Sequence, residues 1–289
     1  MPEQDPQRPS HEVGTSLSRR SLLVGALGVA GVAGLVIDVS VAAAFAVFGA
    51  DVEAGGPVLA AALLGVDAVR LHESAEQLRS QGFDIVESAF DVAKEASILD
   101  AFKRLDDQGV NVDILVNNAG IQFRKPMVEL ETADWQRVID INLTAAFILG
   151  REAARRMLAR KAAGKNDPAH STGKIINIGS LMSGLARATV APYTAAKGGV
   201  KLLTQSMTAE WAEHNIQANA IGPGYMLTEM NKPLIDNPTF NSWVTGRTPA
   251  RRWGKPEELV GAAVFLASSA SNYVSGQIIY VDGGMSCVL

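Results

Sequence analysis

The sequence predicts an α/β protein built on a doubly wound parallel sheet, folded as a single domain. Three observations predict it. Short, mostly apolar runs at Val112–Val116, Lys174–Ile178 and Ile216–Ile221 have the composition of strands buried on both faces. Segments with helical spacing alternate with these runs, as they do when parallel strands are joined by crossover helices. The first run stops at Asn117-Asn118-Ala119-Gly120 and the third at Gly222-Pro223-Gly224, both small, turn-forming loops. In such sheets ligands sit at the carboxyl ends of the strands, so the loops after Val116, Ile178 and Ile221 form the predicted site.

In chain order, residues 1–17 are polar, carry Pro2, Pro6 and Pro9, and read as a disordered tail. The domain is expected over residues 18–289, with residues 18–73 atypical. From Ser21 to Val69 there is no Lys or Arg, and Ala, Gly, Val and Leu dominate. Helical spacing with mixed charge runs from Ala68 to Gln81, and Asp84–Phe90 is a short strand ending at Asp91-Val92. Glu95–Gln108 reads as an amphipathic helix. A long helical pattern spans Thr132 to about Lys161, and another spans Tyr193–Ala212. Pro256–Leu266 is a further helix, and Gln277–Val281 a last strand closed by Asp282-Gly283-Gly284.

Composition narrows the function. At 289 residues with 47% hydrophobic and 19% charged residues, the chain can bury a sizeable core. A net charge of -4 without a long basic run gives no footprint for nucleic acid. The single cysteine, Cys287, forms no internal disulfide and has no metal-ligand spacing, which is compatible with a reducing cytoplasm.

Tyr193 and Lys197 lie four apart, on one face of a helix. A phenol with an ordinary pKa of about 10 exchanges protons poorly at neutral pH. Lowering it by about two to three units requires roughly 3–4 kcal/mol, and an ammonium at about 4 Å supplies that at an effective dielectric of 20. Tyr193 is then the proton donor or acceptor for a substrate oxygen, with Lys197 lowering its pKa. Ser180, just past the strand Lys174–Ile178, can hydrogen-bond the same oxygen. Taken singly these are weak signals; their joint spacing between two buried strands is a strong one. Ala119 and Gly120 are small enough for the backbone to approach a flat ring.

With these elements the chain resembles the short-chain dehydrogenase/reductase family from about Asp84 to the end. The matching motifs are Asn117-Asn118-Ala119-Gly120, Asn142 in Asp-Ile-Asn-Leu-Thr, Ser180, Tyr193-x-x-x-Lys197, Pro223-Gly224 with Thr228, and Val281-Asp282-Gly283-Gly284. The resemblance implies a Rossmann-like fold and hydride transfer to or from NADP, with NAD as the alternative. It implies a catalytic tetrad of Asn142, Ser180, Tyr193 and Lys197, Asn142 ordering a water beside Lys197, and no required metal. It places Asn118, Ala119, Gly120, Tyr193, Lys197, Pro223, Gly224 and Thr228 along the cofactor, and Asp91 and Val92 at the adenine. For Asp91 a turn or helix cap is an equal reading. It also implies a homotetramer with its interfaces on the C-terminal strand and long helices, and cytoplasmic residence.

Within the family, Ile121–Pro126, Ala191–Lys197, Gly224–Tyr225 with Thr228–Met230, and Arg247–Gly254 are most similar to members that act on sugar acids; the alternatives are another polyol or a 3-oxoacyl substrate on the same machinery, or a non-catalytic protein that keeps the fold and has lost its cofactor loop. A sugar acid brings one carboxylate and several hydroxyls, so a guanidinium near the tetrad is expected. Arg124 is the first candidate, with Gln122, Arg187 and Glu229 behind it; for Arg187 a plain surface charge is the favoured reading. Arg251 and Arg252 are expected to fix a loop or a subunit contact.

The N-terminal segment departs from the family pattern Thr-Gly-x-x-x-Gly-x-Gly, which carries backbone N–H groups and a helix N-terminus to the pyrophosphate. Gly25 and Gly31, or Gly28 and Gly34, have the spacing of the outer pair. The middle glycine is then Val29 or Val32, and the threonine Val24 or Leu27. The segment up to Gly49-Ala50-Asp51-Val52, which resembles the second strand, is about two helical turns too long, and Glu53 is the one acidic candidate after it. Three readings stand side by side: a degenerate cofactor loop, a twin-arginine export signal or membrane anchor beginning at Ser18-Arg19-Arg20, or a stretch of Ser21–Val69 translated out of frame.

Overall fold

The computed structural model describes residues 21–27, 60–65, 68–80, 85–165 and 171–288. The predicted tail, Gly28, Gly31 and Gly34 with their valines, Gly49–Val52 and Glu53 lie outside the described residues. So does most of the proposed export signal.

Seven strands form one parallel sheet: β1 (Ser21–Leu27), β2 (Ala60–Gly65), β3 (Ile85–Ala89), β4 (Ile114–Asn117), β5 (Gly173–Ile178), β6 (Ile216–Pro223) and β7 (Ile278–Val281). Their spatial order is β3-β2-β1-β4-β5-β6-β7, all pairs parallel. The order reverses between β1 and β4, which opens a crevice at their carboxyl ends. The doubly wound sheet is as expected. Two strands, β1 and β2, come from the atypical segment, and β2 lies at Ala60–Gly65, later than the family-like match to a second strand at 49–52. Gly25 sits inside β1 across from Asn117, so the glycine spacing that begins there starts within the strand rather than past it.

Helices α1 (Ala68–Arg79), α2 (Glu95–Asp107), α3 (Thr132–Ile139), α4 (Ala145–Ala162), α5 (Ala191–Trp211), α6 (Lys232–Ile235), α7 (Pro238–Arg247) and α8 (Val260–Ala267) complete the chain. The long helical pattern of Thr132–Lys161 is two α-helices joined by one π-helical turn, Asp140–Thr144. Such single turns cluster at functional sites.

The apolar strands follow from helices on both faces. Successive strand residues point to opposite sides. Leu115 and Ile175 enter one core with Phe102, Leu105, Leu149 and Met157, while Val116 and Ile176 enter the other with Leu71, Leu78, Leu259 and Leu266. Each fully buried large apolar side chain contributes about 1.5–3 kcal/mol by leaving water. Asn117 and Asn177 are buried polar residues within the strands: Asn117 donates to Asn177 Oδ1 at 2.8 Å, and Asn177 donates to the Thr204 hydroxyl at 2.9 Å. On one flank Arg156 ties α2 to α4, pairing with Asp106 at 2.7 Å and with buried Glu152 at 3.1 Å.

Candidate active site

At the carboxyl ends of β4, β5 and β6 lies a cavity of about 150 Å³. Its wall includes Asn118, Gly120, Ser180, Tyr193, Lys197, Pro223, Gly224 and Thr228. Three of the four expected tetrad residues line it; Asn142 lies just behind.

Ser180 follows β5 and caps the short turn Leu181–Ser183. Its Oγ accepts from the Met182 N–H at 3.2 Å, which leaves the hydroxyl proton free to donate. Ser183 accepts from the Ser180 N–H and donates to the Lys197 carbonyl at 2.8 Å, locking this turn onto α5. Asn142, 2% exposed, sits in the π turn. Its amide donates to the carbonyls of Val138 (2.9 Å) and Ile121 (3.0 Å), and its oxygen accepts from the Ile121 N–H (3.2 Å). It therefore pins the loop after β4 to the helix pair α3–α4. Gly120 is glycine for a local reason: a Cβ there would stand 2.7 Å from Asn142 Oδ1 and 3.7 Å from Lys197 Nζ.

Lys197 is 3% exposed and donates to the Ile178 carbonyl at 2.6 Å. Burial lowers its pKa to about 8. Burial also pushes the Tyr193 phenol up, opposed by hydrogen bonding from Ser180 and Gln122 and by the Arg124 charge. Lys197 Nζ lies 5.7 Å from the Tyr193 ring centre. Beside the ammonium that the spacing predicts, Ser180, Gln122 and the second-layer Arg124 guanidinium thus also favour the phenolate. Because the lysine's folded pKa is below its unfolded 10.5, the fold resists its protonation. That penalty is full below about pH 8 and is relieved as pH rises to 10.5, a span worth at most roughly 3 kcal/mol. Lys197→Met should therefore gain stability relative to the parent most strongly at neutral pH, the difference shrinking between pH 8 and 10.5 in thermal melts. A pH-independent difference would contradict the assignment.

Other predicted residues distribute as follows. Ala119 packs beside the core rather than into the cavity. Asp91 caps the turn before α2, accepting from the Ala93 N–H at 3.0 Å, and Val92 is buried in the core; neither lines the cavity. Arg124 is one layer behind the wall, donating to Gln122 at 2.6 Å and facing the Met230 carbonyl at 3.5 Å. Its Nε is buried with no partner. Gln122 and Arg187 do line the cavity. Arg187, expected as a surface charge, instead reaches the wall with its guanidinium over the Phe240 ring at 5.1 Å. Glu229 is exposed and off the wall. Arg251 and Arg252 fix their loop, bonding the Gly246 carbonyl and, bidentately, Glu258.

Tyr225 was missed as a wall residue. It packs edge-on against Phe240 and Trp243 of α7 and against Trp253, an aromatic cluster behind its side of the wall. The sequence signal was available: three large aromatics within fourteen residues after a polar loop.

The cavity suits the reactive end of a dinucleotide. Gly120 and Gly224 leave the floor without side chains, and the Lys197 ammonium, with one donor spent on Ile178, keeps two for ribose hydroxyls. The stretch that would hold the pyrophosphate lies outside the described residues.

Comparison with known proteins agrees. The family model described as enoyl-(acyl carrier protein) reductase matches residues 36–286. The 5-keto-D-gluconate 5-reductase of Escherichia coli strain K12 is 44% identical over 220 residues, covering 76% of this chain and 83% of that protein. The gluconate 5-dehydrogenase of Gluconobacter oxydans strain 621H is 41% identical over 227 residues, covering 78% and 85%. Among solved structures, one from Agrobacterium tumefaciens, assigned provisionally as a gluconate dehydrogenase, is 57% identical with a TM-score of 0.80, covering 94% of this chain and 97% of that one. A gluconate 5-dehydrogenase from Burkholderia cenocepacia in complex with NADP and tartrate is 39% identical, with the same TM-score and coverage. Among the described residues no helix is long and apolar enough to cross a membrane. The chain belongs to the short-chain dehydrogenase/reductase family and is an NAD(P)-dependent oxidoreductase acting on CH–OH groups.

Proposed function

We propose that this protein interconverts D-gluconate and 5-keto-D-gluconate, with NADP as its nucleotide and NAD as the alternative. The observation that carries this reading is one cavity holding both the Tyr193–Ser180–Lys197 group and the Arg187 guanidinium, which has no acidic partner among the described residues. A polyhydroxylated carboxylate needs both ends. The relatives named for gluconate chemistry and the NADP-bound neighbour support the same substrate and nucleotide.

The nicotinamide, when bound, gives or takes the hydride. The chain's own residues handle the proton and the oxygen. Tyr193 donates its proton to the C5 carbonyl oxygen in reduction and accepts it from the C5 hydroxyl in oxidation. Ser180 donates to that oxygen and polarises it. Lys197 holds ribose hydroxyls and lends charge to the phenol; Asn142 keeps the loop of Asn118–Gly120 in place and orders water beside the lysine. Asn118, Ala119, Gly120, Pro223, Gly224 and Thr228 lie along the cofactor, with the backbone at Asp91 and Val92 toward the adenine. The substrate carboxylate sits in the joint field of Arg187 on the wall and Arg124 behind it.

The working protein is proposed as a cytoplasmic homotetramer; exposed Phe147 on α4 and Leu202 on α5 offer apolar contacts on the long helices. Arg187→Ala tests the substrate assignment. KM for 5-keto-D-gluconate should rise at least about tenfold, as expected for losing a hydrogen bond to a charged group. KM for an uncharged polyol ketone should hardly move. An unchanged KM for both would remove Arg187 from the site.

A further inference from the structure

We infer that Gln122 is a positioning residue for the proton-transfer step, its amide N–H turned toward the Tyr193 oxygen because Arg124 takes the other end of the amide. This rests on the reading of Tyr193 as the acid/base.

A glutamine side chain has two unlike ends, an oxygen that only accepts and a nitrogen that only donates. Arg124 Nη2 lies 2.6 Å from Gln122 Oε1. A guanidinium has no acceptor, so a flipped amide would set donor against donor at that distance. Arg124 thereby fixes which end of Gln122 is free. The guanidinium is itself placed by burial and by the Met230 carbonyl at 3.5 Å, on the loop between β6 and α6. Gln122 stands on the cavity wall with Ser180 and Tyr193, and its free end is the donor.

The arrangement answers a need that Lys197 alone leaves. Burial drives the phenol up, while hydrogen bonding from Ser180 and Gln122 pulls it back down. A donor on the oxygen favours the phenolate over the phenol. Ser180 must also serve the substrate oxygen, so Gln122 is the donor that stays with Tyr193 through the reaction. A residue of this kind belongs to the loop after β4, two positions past Gly120, and is coupled through Met230 to the loop that follows β6.

The test is the pH dependence of kcat/KM for D-gluconate oxidation at saturating NADP, which rises as Tyr193 deprotonates. Gln122→Met should move the inflection up by about one pH unit, the size of one hydrogen bond to a charged group. Arg124→Met should move it in the same direction, and the double variant by less than the sum of the singles, its excess over Gln122→Met being the direct pull of the Arg124 charge on the phenol. Arg124→Lys, which keeps a donor toward Oε1, should restore most of the parent profile. An unmoved inflection in Gln122→Met overturns the inference, and so does a double variant that shifts by the sum of the singles. Repeating the profiles with an uncharged polyol separates this from the substrate assignment. Loss of carboxylate recognition raises KM for gluconate alone, whereas loss of the Gln122 donor moves the inflection for both substrates. Full turnover in Tyr193→Phe would instead remove the acid/base reading itself.

Discussion

Tyr193→Phe is expected to lower kcat by about a thousandfold in both directions, within the range supplied by a positioned general acid or base. The ring is 8% exposed and packs in the core cluster with Val190, Ile121 and Ile148, so phenylalanine retains the burial and removes only the hydroxyl. Thermal stability should stay within about 1 kcal/mol of the parent or rise, because a buried phenol that resists ionisation is replaced by an apolar ring. NADPH binding, read by nucleotide fluorescence, should persist, since the ammonium of Lys197 and the floor at Gly120 are untouched. Steady-state turnover combined with that titration checks the prediction. Retained turnover would move the proton chemistry to another residue.

Gly120→Ala is expected to be nearly as damaging, for a steric reason. The new methyl would lie 2.7 Å from Asn142 Oδ1, closer than a carbon and an oxygen tolerate. Asn142 cannot yield cheaply, because its amide is held by the carbonyls of Ile121 and Val138 and its oxygen by the Ile121 N–H. Overpacking of this kind destabilises by about 1–3 kcal/mol. The loop of Asn118–Gly120 also lines the cavity, so a displacement of about 1 Å would misplace the nucleotide and slow turnover on the order of 100-fold. The parallel variant Gly198→Ala, inside α5 where a Cβ meets nothing within 4 Å, should raise stability by about 0.5–1 kcal/mol. Comparing the two by thermal melts and by KM for NADPH isolates the close approach from the general effect of losing a glycine.

Where strands are short, apolar and closed by turn residues, the sequence was readable: β4, β5 and β6 fall within a few residues of the runs at Val112, Lys174 and Ile216. The chemistry at their carboxyl ends was readable for the same reason, since a parallel sheet dictates where its loops gather. β1 and β2 were not. Ser21–Leu27 and Ala60–Gly65 lie in a stretch dominated by Ala, Gly, Val and Leu without Lys or Arg, where neither a period of two nor one of 3.6 stands out, and only pairing with β4 and β3 reveals them. The π turn at Asp140–Thr144 was invisible because one turn in a long helical pattern barely disturbs its periodicity. The division between Arg124 and Arg187 was invisible too. Sequence gives each a positive charge, and only packing shows one tied to Gln122 behind the wall and the other stacked on Phe240 at its surface. Lys197 and Tyr193 share a helix face as their spacing requires, but the depth of burial that resets both acidities comes from the surrounding sheet and loops.

The most direct measurement is the time course of NADPH consumption by the full chain after addition of 5-keto-D-gluconate, with the product identified. The account predicts sustained turnover, one D-gluconate formed per NADPH consumed, and no consumption in the Tyr193→Phe variant beyond its residual rate. No NADPH or NADH consumption above the rate without substrate would contradict it.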